Sequence, residues 1–197
     1  QFGFQKENNN MDRVAVEGWI TVETAQAVFA EANIDFEQAK TNAAKGSYHV
    51  ALADLTASVS VKNTIKKSVS NNFIATLPGR SKSDEHIIYS AHWDHLGTDK
   101  NRKGDQIYNG AHDNATGTAG LIEVAQAFTK LGQKPERSVT FLAVTAEEQG
   151  LLGSKYYAAN PIINPNKTVA NINMDSLNLL GRVKDISVVG LGKSELD

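Results

Sequence analysis

The stretch SVTFLAVTAEE, residues 138–148, decides the fold of this chain. Its first seven residues are almost continuously apolar, which is typical of a β-strand that is buried on both faces of a sheet. Two consecutive glutamates, Glu147 and Glu148, follow that strand almost at once. A buried strand that ends in carboxylates indicates a parallel sheet with a polar site at one edge.

The same alternation of apolar strands and helices extends over the chain from residue 86 onward. Apolar runs predict strands at residues 86–91, 138–144, 168–174 and 186–189. Helical spacing of Leu121, Ala125 and Phe128, and a second segment at residues 151–159, predict the intervening helices. This order predicts an α/β fold, with a mixed, mostly parallel sheet sandwiched by helices.

The first half of the chain has a different pattern. Residues 21–45 predict two helices with a break near Asn33, the first capped by Thr21. Residues 50–77 carry short β-rich runs that predict a hairpin, and Pro78-Gly79 ends it.

Composition excludes several classes of protein. The chain has 197 residues, 20 Lys and Arg against 22 Asp and Glu, a net charge of −2 and no cysteine. A near-neutral chain has no general basic field for nucleic acid, and no stretch approaches the roughly 20 apolar residues of a membrane span. Without cysteine, any metal must be held by His, Asp and Glu.

Such residues stand where the predicted strands end, which is where ligands collect in α/β sheets. They are the runs His92-Trp93-Asp94-His95 and His112-Asp113-Asn114, the pair Glu147-Glu148, and Asp175. Clustered carboxylates repel one another unless a cation is present, and zinc accepts imidazole nitrogen and carboxylate oxygen. In a His-x-Asp sequence the aspartate can orient the histidine ligand. Consecutive glutamates point in different directions, so one can bind metal while the other moves protons.

Each feature also has an ordinary structural explanation. Glutamates favour helix N-termini, Asp113-Asn114 can cap a helix, and Asp175 can form a turn. The occurrence of all of them at successive strand ends favours a metal site. His49, His86 and His95 are interpreted as structural or surface residues, and His112 as a loop residue.

Four motifs carry a resemblance to a known family. They are SAHWDHLG at residues 90–97, GAHDNATG at 110–117, TAEEQGLLGS at 145–154 and NMD at 173–175. In this order they resemble the motifs of the di-zinc exopeptidases related to bacterial leucyl aminopeptidase, over about residues 70–190.

The resemblance implies a role for each matching residue. His92 and Asp175 would be terminal ligands of one zinc, Asp113 would bridge both zincs, and Glu148 would bind the second. Glu147 would be the general base. Asp94 would be the partner that orients His92, and the bond between Asp113 and Asn114 would be a candidate cis peptide.

The implied activity is hydrolysis of the N-terminal peptide bond of a peptide with a free N-terminus, by a zinc-activated water. Neither nucleic acid nor a membrane is expected as a partner. Two alternatives stay open. One is a non-catalytic homologue used for binding, and the other is a related di-zinc amidohydrolase or carboxypeptidase.

The family completes the second zinc with a histidine downstream of the Asp175 position, and this sequence has no histidine after Asp113. We therefore expect a fragment that is incomplete at both ends. Residues 1–45 resemble the tail of a protease-associated insert with its return helices, and residues 46–197 the central part of the catalytic domain. The fragment is expected to bind one zinc better than two and to have little or no activity. Family habit suggests a secreted or periplasmic bacterial protein.

Overall fold

The computed structural model describes residues 3, 8, 14, 16–46, 48–52 and 55–193. The chain forms two compact units, one within residues 5–67 and the other formed mainly by residues 68–197. The boundary expected from the sequence lies between residues 45 and 46, and the origin of residues 1–45 stays a prediction. In the described part of the chain, no helix combines the length and the apolar character needed to cross a membrane.

The smaller unit contains the two predicted helices. Helix α1 spans Val22–Glu31 and helix α2 spans Phe36–Ala43. The Thr21 hydroxyl accepts the amide N–H of Thr24 and caps α1, as predicted. The break between the helices falls at Asn33, whose φ is 55°. Both helices are therefore confirmed.

The larger unit contains the α/β fold. Its elements are β1 (Phe73–Leu77), β2 (Lys82–His92), β3 (Gly97–Thr98), β4 (Ile107–Tyr108), α3 (Ala115–Thr129), β5 (Arg137–Val144), α4 (Leu152–Ala159), a 3₁₀ turn (Pro165–Lys167) and β6 (Thr168–Asn173). The main sheet has the order β1-β5-β2-β6, in which β2 runs parallel to β5 and β6, and β1 runs antiparallel to β5. Strands β3 and β4 pair separately as a hairpin. The predicted mixed, mostly parallel sheet is confirmed.

Apolar contacts attach a helix to each face of this sheet. On one face, the rings of Tyr89, Phe128 and Phe141 bring α3 against β2 and β5, with centroids 6.0–6.3 Å apart. On the other, Tyr157 of α4 packs against a buried cluster that includes Ile88. Burying an aliphatic or aromatic side chain of this kind stabilises a fold by about 1.5–3 kcal/mol.

Two predicted β elements are wrong. Strand β1 does not belong to a hairpin within residues 50–77. It pairs with β5 instead, with Phe73 opposite Ala143, and no residue described between 55 and 72 is in a strand. Residues 186–189 are apolar but form no strand, and Ile186 and Val189 are 83% and 102% exposed. An apolar run becomes a strand only where a neighbouring strand offers hydrogen-bonding groups.

The parallel pairing has a direct consequence for the site. Because β2, β5 and β6 run in the same direction, their carboxyl ends lie at one edge of the sheet. The side chains that follow His92, Val144 and Asn173 therefore meet there.

Candidate metal centre

His92 is the last residue of β2 and stands at the centre of the site. It is 2% exposed, and its Nδ1 lies 3.1 Å from the main-chain carbonyl oxygen of Asp94. The Thr118 hydroxyl in α3 donates to the carbonyl of His92 at 3.0 Å, which fixes this residue to the helix. Because a carbonyl oxygen only accepts, Nδ1 carries the hydrogen of this contact, and in the neutral form of the ring the lone pair lies at Nε2.

Three carboxylates face that Nε2. It lies 3.0 Å from Oδ1 of Asp113, 3.4 Å from Oδ1 of Asp175 and 4.0 Å from Oε2 of Glu147. The Nε2 atom and Oδ1 of Asp113 are both buried, and among the described residues neither has a hydrogen-bond partner. Their distance would suit an ion pair, but their mutual orientation does not make a hydrogen bond.

This arrangement fits a zinc ion. Two ligand atoms of a tetrahedral zinc, each at about 2.0–2.2 Å from the metal, lie about 3.4 Å apart. The observed separations of His92 Nε2 from Asp113 and Asp175, 3.0 and 3.4 Å, are close to that value. A buried lone pair that faces carboxylate oxygens is unfavourable unless a cation lies between them. The three side chains are grouped closely enough to hold one.

Charge in the site shifts two titratable groups. Burial by itself would lower the pKa of the His92 imidazole, but the carboxylates of Asp175, Glu147 and Asp94 and the Asp94 carbonyl outweigh it and raise this pKa. Burial raises the pKa of the Glu147 carboxyl, and the nearby carboxylates of Asp175 and Glu148 add to the increase, against the effect of His92. A raised pKa suits Glu147 to accept and return a proton near neutral pH.

A second group of possible ligands adjoins the first. It consists of His95, Asp113 and Glu148, whose ligand atoms all lie within 4.8 Å of one another. His95 Nδ1 lies 2.6 Å from Oε1 of Glu148. Asp113 belongs to both groups, which is the position the resemblance implied for a bridging carboxylate.

Asp94 contacts His92 at the end of β2 and the two glutamates in the turn after β5. The resemblance implies that Asp94 orients His92, and its carbonyl oxygen makes that contact while its carboxylate lies 3.7 Å from Nδ1. The carboxylate instead accepts the main-chain N–H groups of Glu147 at 2.9 Å and Glu148 at 3.3 Å. These glutamates lie in the turn between β5 and α4, next to Ala146, whose φ is 51°. A non-glycine residue with positive φ is costly and is often found at functional sites.

Asn114 connects α3 to the segment that carries Asp175. It is 2% exposed, and its Oδ1 accepts the N–H groups of Gly117 and Ser176 at 2.9 and 3.2 Å. Its Nδ2 donates to the carbonyl of Met174 at 3.1 Å. The peptide bond before Asn114 is cis, as predicted. One buried amide therefore sets the position of Asp113 relative to Asp175.

The structure brings all six predicted site residues together. They are His92, Asp94, Asp113, Glu147, Glu148 and Asp175. It also brings His95 to the site, a residue that the sequence alone leaves as structural or surface. The sequence signal for it is its place directly after Asp94, three residues beyond the end of β2.

The fold and the site together define an α/β protein with a candidate metal centre at the carboxyl edge of its sheet. Residues 72–197 match the sequence model of peptidase family M28. Because the match covers more than half of the chain, the chain belongs to peptidase family M28.

Individual proteins that are similar to this chain carry the names of peptidases. The chain is 32% identical to Aminopeptidase NAALADL1 of Mus musculus over 59% of its length, and 38% identical to a Probable zinc metalloprotease of Pyricularia oryzae over 45%. The matched segments cover 15% and 17% of those proteins, so the chain spans about a sixth of each. The crystal structure of a Peptidase M28 precursor from Shewanella amazonensis is 34% identical, with a TM-score of 0.44, and the match covers 53% of this chain and 22% of that one.

Proposed function

We propose that this chain forms the central part of the active site of a zinc-dependent aminopeptidase, which hydrolyses the N-terminal peptide bond of a peptide. His92, Asp113 and Asp175 would hold one zinc, and Glu148 would bind a second with Asp113 shared. Zinc, when bound, supplies a Lewis acid that lowers the pKa of a water and polarises a carbonyl.

Glu147 would act as the general base. Its Oε2 lies 4.0 Å from His92 Nε2, so it stands beside the candidate metal position. Burial raises the pKa of its carboxyl, which favours uptake of the proton from the attacking water. The same carboxyl would then deliver that proton to the leaving amine. His92 keeps its ring orientation through the Asp94 carbonyl and would take no proton from substrate.

The surroundings of Glu147 leave room for a substrate. A cavity of about 600 Å³ adjoins the site, and His92, Glu147 and Asp175 are among the residues that line it. Apolar side chains of β2 and β5, among them Ile88 and Leu142, also line this cavity. The free amino group of a peptide carries a positive charge, which the carboxylates of the site would attract.

One observation carries the proposal: the buried Nε2 of His92 and Oδ1 of Asp113 face each other without a hydrogen bond, and the partly buried carboxylate of Glu147 lies next to them. A structural ion pair between His92 and Asp113 does not require a third carboxylate beside it, whereas a hydrolytic metal site requires a general base such as Glu147. The name of the mouse relative, Aminopeptidase NAALADL1, supports the choice of the N-terminal bond.

The test compares three substrates with the full-length protein and bound zinc. They are an aminoacyl anilide with a free amine, its N-acetylated form, and an N-acetylated peptide with a free C-terminus. We expect cleavage of the first alone. Cleavage of the third alone would establish the carboxypeptidase alternative, and cleavage of the second that of an amidohydrolase.

The matched variant is Glu147→Gln, which keeps the size of the side chain and removes its basic group. We expect it to retain zinc, measured by elemental analysis, and to lose about 10²–10⁴-fold in turnover. Wild-type turnover in this variant would show that Glu147 is not the base. A full zinc content without cleavage of any substrate would support the non-catalytic alternative.

A further inference from the structure

We propose that Asn72 is a positioning residue for the turn that carries Glu147 and Glu148. This turn lies between β5 and α4, at residues 145–151. Asn72 directly precedes β1, and its side chain hydrogen-bonds to the backbone on either side of the two glutamates. The inference rests on the proposed function, because it gives a catalytic purpose to the place of these glutamates.

The Asn72 amide holds both ends of the turn. Its Oδ1 accepts the main-chain N–H of Thr145 at 3.0 Å, and its Nδ2 donates to the carbonyl oxygen of Gly153 at 2.8 Å. Thr145 directly follows β5, and Gly153 is the second residue of α4. One side chain therefore spans the base of the turn, although it lies 73 and 81 residues away from its two partners in sequence.

An amide side chain suits these two partners. A main-chain N–H needs an acceptor and a carbonyl needs a donor, and asparagine carries one of each on the same carbon atom. The ionised carboxylate of an aspartate has nearly the same size and could accept from Thr145. It has no hydrogen to donate to Gly153.

The backbone of α4 approaches Asn72 very closely. The N–H of Gly153 donates to the carbonyl oxygen of Thr145 at 2.9 Å, and a Cβ on Gly153 would lie 2.6 Å from Oδ1 of Asn72. Within the turn, Ala146 and Leu151 have φ values of 51° and 61°, which are unfavourable for residues with a side chain. Such a backbone persists where surrounding contacts impose it, and the Asn72 amide supplies two of these contacts.

The neighbours of Asn72 attach it to the end of β2. The carbonyl oxygen of Asn71 accepts the indole N–H of Trp93 at 3.1 Å. The ring of Phe73 lies edge-on to that of Trp93, with centroids 5.7 Å apart. Because Trp93 directly follows His92, these contacts fix Asn72 relative to the central histidine of the site.

The middle of the turn has a separate anchor. The main-chain N–H groups of Glu147 and Glu148 donate to the Asp94 carboxylate at 2.9 and 3.3 Å. Asp94 thus holds the middle of the turn, and Asn72 holds its two ends. Without Asn72 the ends can separate, and Oε2 of Glu147 leaves its place 4.0 Å from His92 Nε2.

A rival role for Asn72 is general stabilisation of the sheet, with no particular effect on the turn. The two roles differ in which backbone amides they protect from hydrogen exchange. Loss of global stability accelerates exchange of the strands and of the turn together, whereas local release of the turn accelerates exchange there alone. Only the second case lowers kcat with little change in KM, because the general base acts in the transition state.

The variants are Asn72→Ala, which removes both hydrogen bonds, and Asn72→Asp, which keeps the acceptor alone. Thr76→Val is the matched control. The Thr76 and Thr140 hydroxyls lie 3.1 Å apart across the same pair of strands, β1 and β5, away from the turn. Urea unfolding gives the global stability of each variant, and Asn72→Asp provides the comparison if Asn72→Ala does not fold.

The measurements use the full-length protein. Hydrogen exchange, followed by mass spectrometry with and without zinc, compares peptides that cover the turn at residues 145–151 with peptides that cover residues 86–91 of β2. Steady-state kinetics of the zinc-loaded protein give kcat and KM separately. The exchange measurement without zinc reports on the turn independently of activity.

We expect Asn72→Ala to accelerate exchange of the turn by about 10-fold or more, and to accelerate exchange of β2 no more than Thr76→Val does. Its kcat should fall by about 10–100-fold with KM nearly unchanged. Asn72→Asp should change the same quantities in the same direction, and Thr76→Val should keep the exchange of the turn and the kcat of the wild type.

Equal acceleration of the turn and of β2 in Asn72→Ala, or equal exchange of the turn in Asn72→Ala and Thr76→Val, would overturn the proposal and leave the proposed function intact. A wild-type protein that binds zinc and cleaves no substrate would overturn the proposed function. In that case the exchange rates would still show whether Asn72 holds the turn.

Discussion

The carboxylate of Asp94 accepts the main-chain N–H of Glu147 at 2.9 Å, and this contact couples the two halves of the site. Asp94 comes two residues after His92, whose Nδ1 is held by the Asp94 carbonyl. Its other carboxylate oxygen accepts the N–H of Glu148 at 3.3 Å. One residue therefore orients the imidazole at the end of β2 and positions the glutamate pair after β5.

The first prediction concerns this coupling. Asp94→Asn keeps one acceptor oxygen but places an NH₂ donor against a main-chain N–H, so the turn of Glu147 and Glu148 should shift. We expect a loss of about 10–100-fold in activity and in affinity for the second zinc, as for other outer partners of metal ligands. Steady-state kinetics of the full-length protein and zinc titration measure the two effects.

The control for this prediction is Asp35→Asn. Asp35 also accepts a main-chain N–H with its carboxylate, that of Gln38 at 2.7 Å, but it caps α2 in the other unit. This variant should leave activity and zinc affinity unchanged. Equal effects of the two variants would mean that the Asp94 result reflects a general loss of stability.

The larger features of the fold follow from sequence because they depend on local patterns. Helices α1 to α3 have helical spacing and a side-chain N-cap, and β2 and β5 contain apolar runs that are largely buried in the sheet. The errors concern pairing across long distances. The local sequence pattern of residues 73–77 is as apolar as that of residues 186–189. The first segment pairs with β5, whereas the second remains exposed.

In the site, too, residues placed by strand ends can be predicted from sequence, whereas residues placed by contacts with distant parts of the chain cannot. His92, Glu147 and Asp175 stand at or just after the ends of β2, β5 and β6, so topology predicts that they meet, whereas Asp113 lies in the turn before α3. His95 could not be separated from an ordinary surface histidine, because its position depends on contacts with Tyr108 in β4 and with Gly110, which lie further along the chain. The carboxylate of Asp94 is a similar case, since its hydrogen bonds reach a turn 53 residues away.

The second prediction concerns metal and stability. The facing His92 Nε2 and Asp113 Oδ1, together with the nearby carboxylates, destabilise the metal-free chain, so zinc should stabilise the folded state. At a free zinc concentration 100 times the dissociation constant the gain is about 2.7 kcal/mol, which corresponds to about 5–10 °C in the melting temperature. Thermal melts with zinc and after addition of a chelator measure it.

The matched variant for this measurement is His92→Ala. It removes the central ligand of the first position, and its melting temperature should no longer respond to low zinc concentrations. An equal response of this variant and the wild type would place the stabilising metal elsewhere.

The third prediction compares two glycines of α3. A Cβ on Gly117 would lie 2.3 Å from Oδ1 of Asn114 and 2.5 Å from the carbonyl oxygen of Met174. Gly117→Ala should therefore displace the Asn114 side chain and lower the free energy of unfolding by about 1–3 kcal/mol. A Cβ on Gly120 meets only the ends of flexible side chains, those of Leu177 at 2.8 Å and Met174 at 3.4 Å.

Gly120→Ala serves as the control in the same helix. Alanine is a better helix former than glycine by up to about 1 kcal/mol, so this variant should be neutral or stabilising. Urea unfolding of both variants gives the difference. A Gly117→Ala variant as stable as Gly120→Ala would show that the close approach at Asn114 relaxes without cost.

The fourth prediction concerns pH and the ion pair of Asp84 with Lys167, which connects β2 to the turn before β6. The hydrogen bond and the charge of Lys167 lower the pKa of the Asp84 carboxyl below its usual 3.8, and Asp84 raises the pKa of the Lys167 amine above its usual 10.5. The contribution of Asp84 is therefore present above about pH 4 and is lost as the pH falls further. That of Lys167 is present below about pH 10 and is lost as the pH rises further.

Lys167→Met should reduce the urea midpoint slightly at pH 7, because exposed ion pairs contribute little and are screened by salt. The difference from the wild type should shrink as the pH falls below about 4 and Asp84 takes up a proton, and it should shrink at high salt. Lys134→Met, a change of an exposed lysine in the loop before β5, should show no such pH dependence. A difference that is the same at pH 2 and pH 7 would mean that the lysine stabilises the sheet by packing of its aliphatic chain.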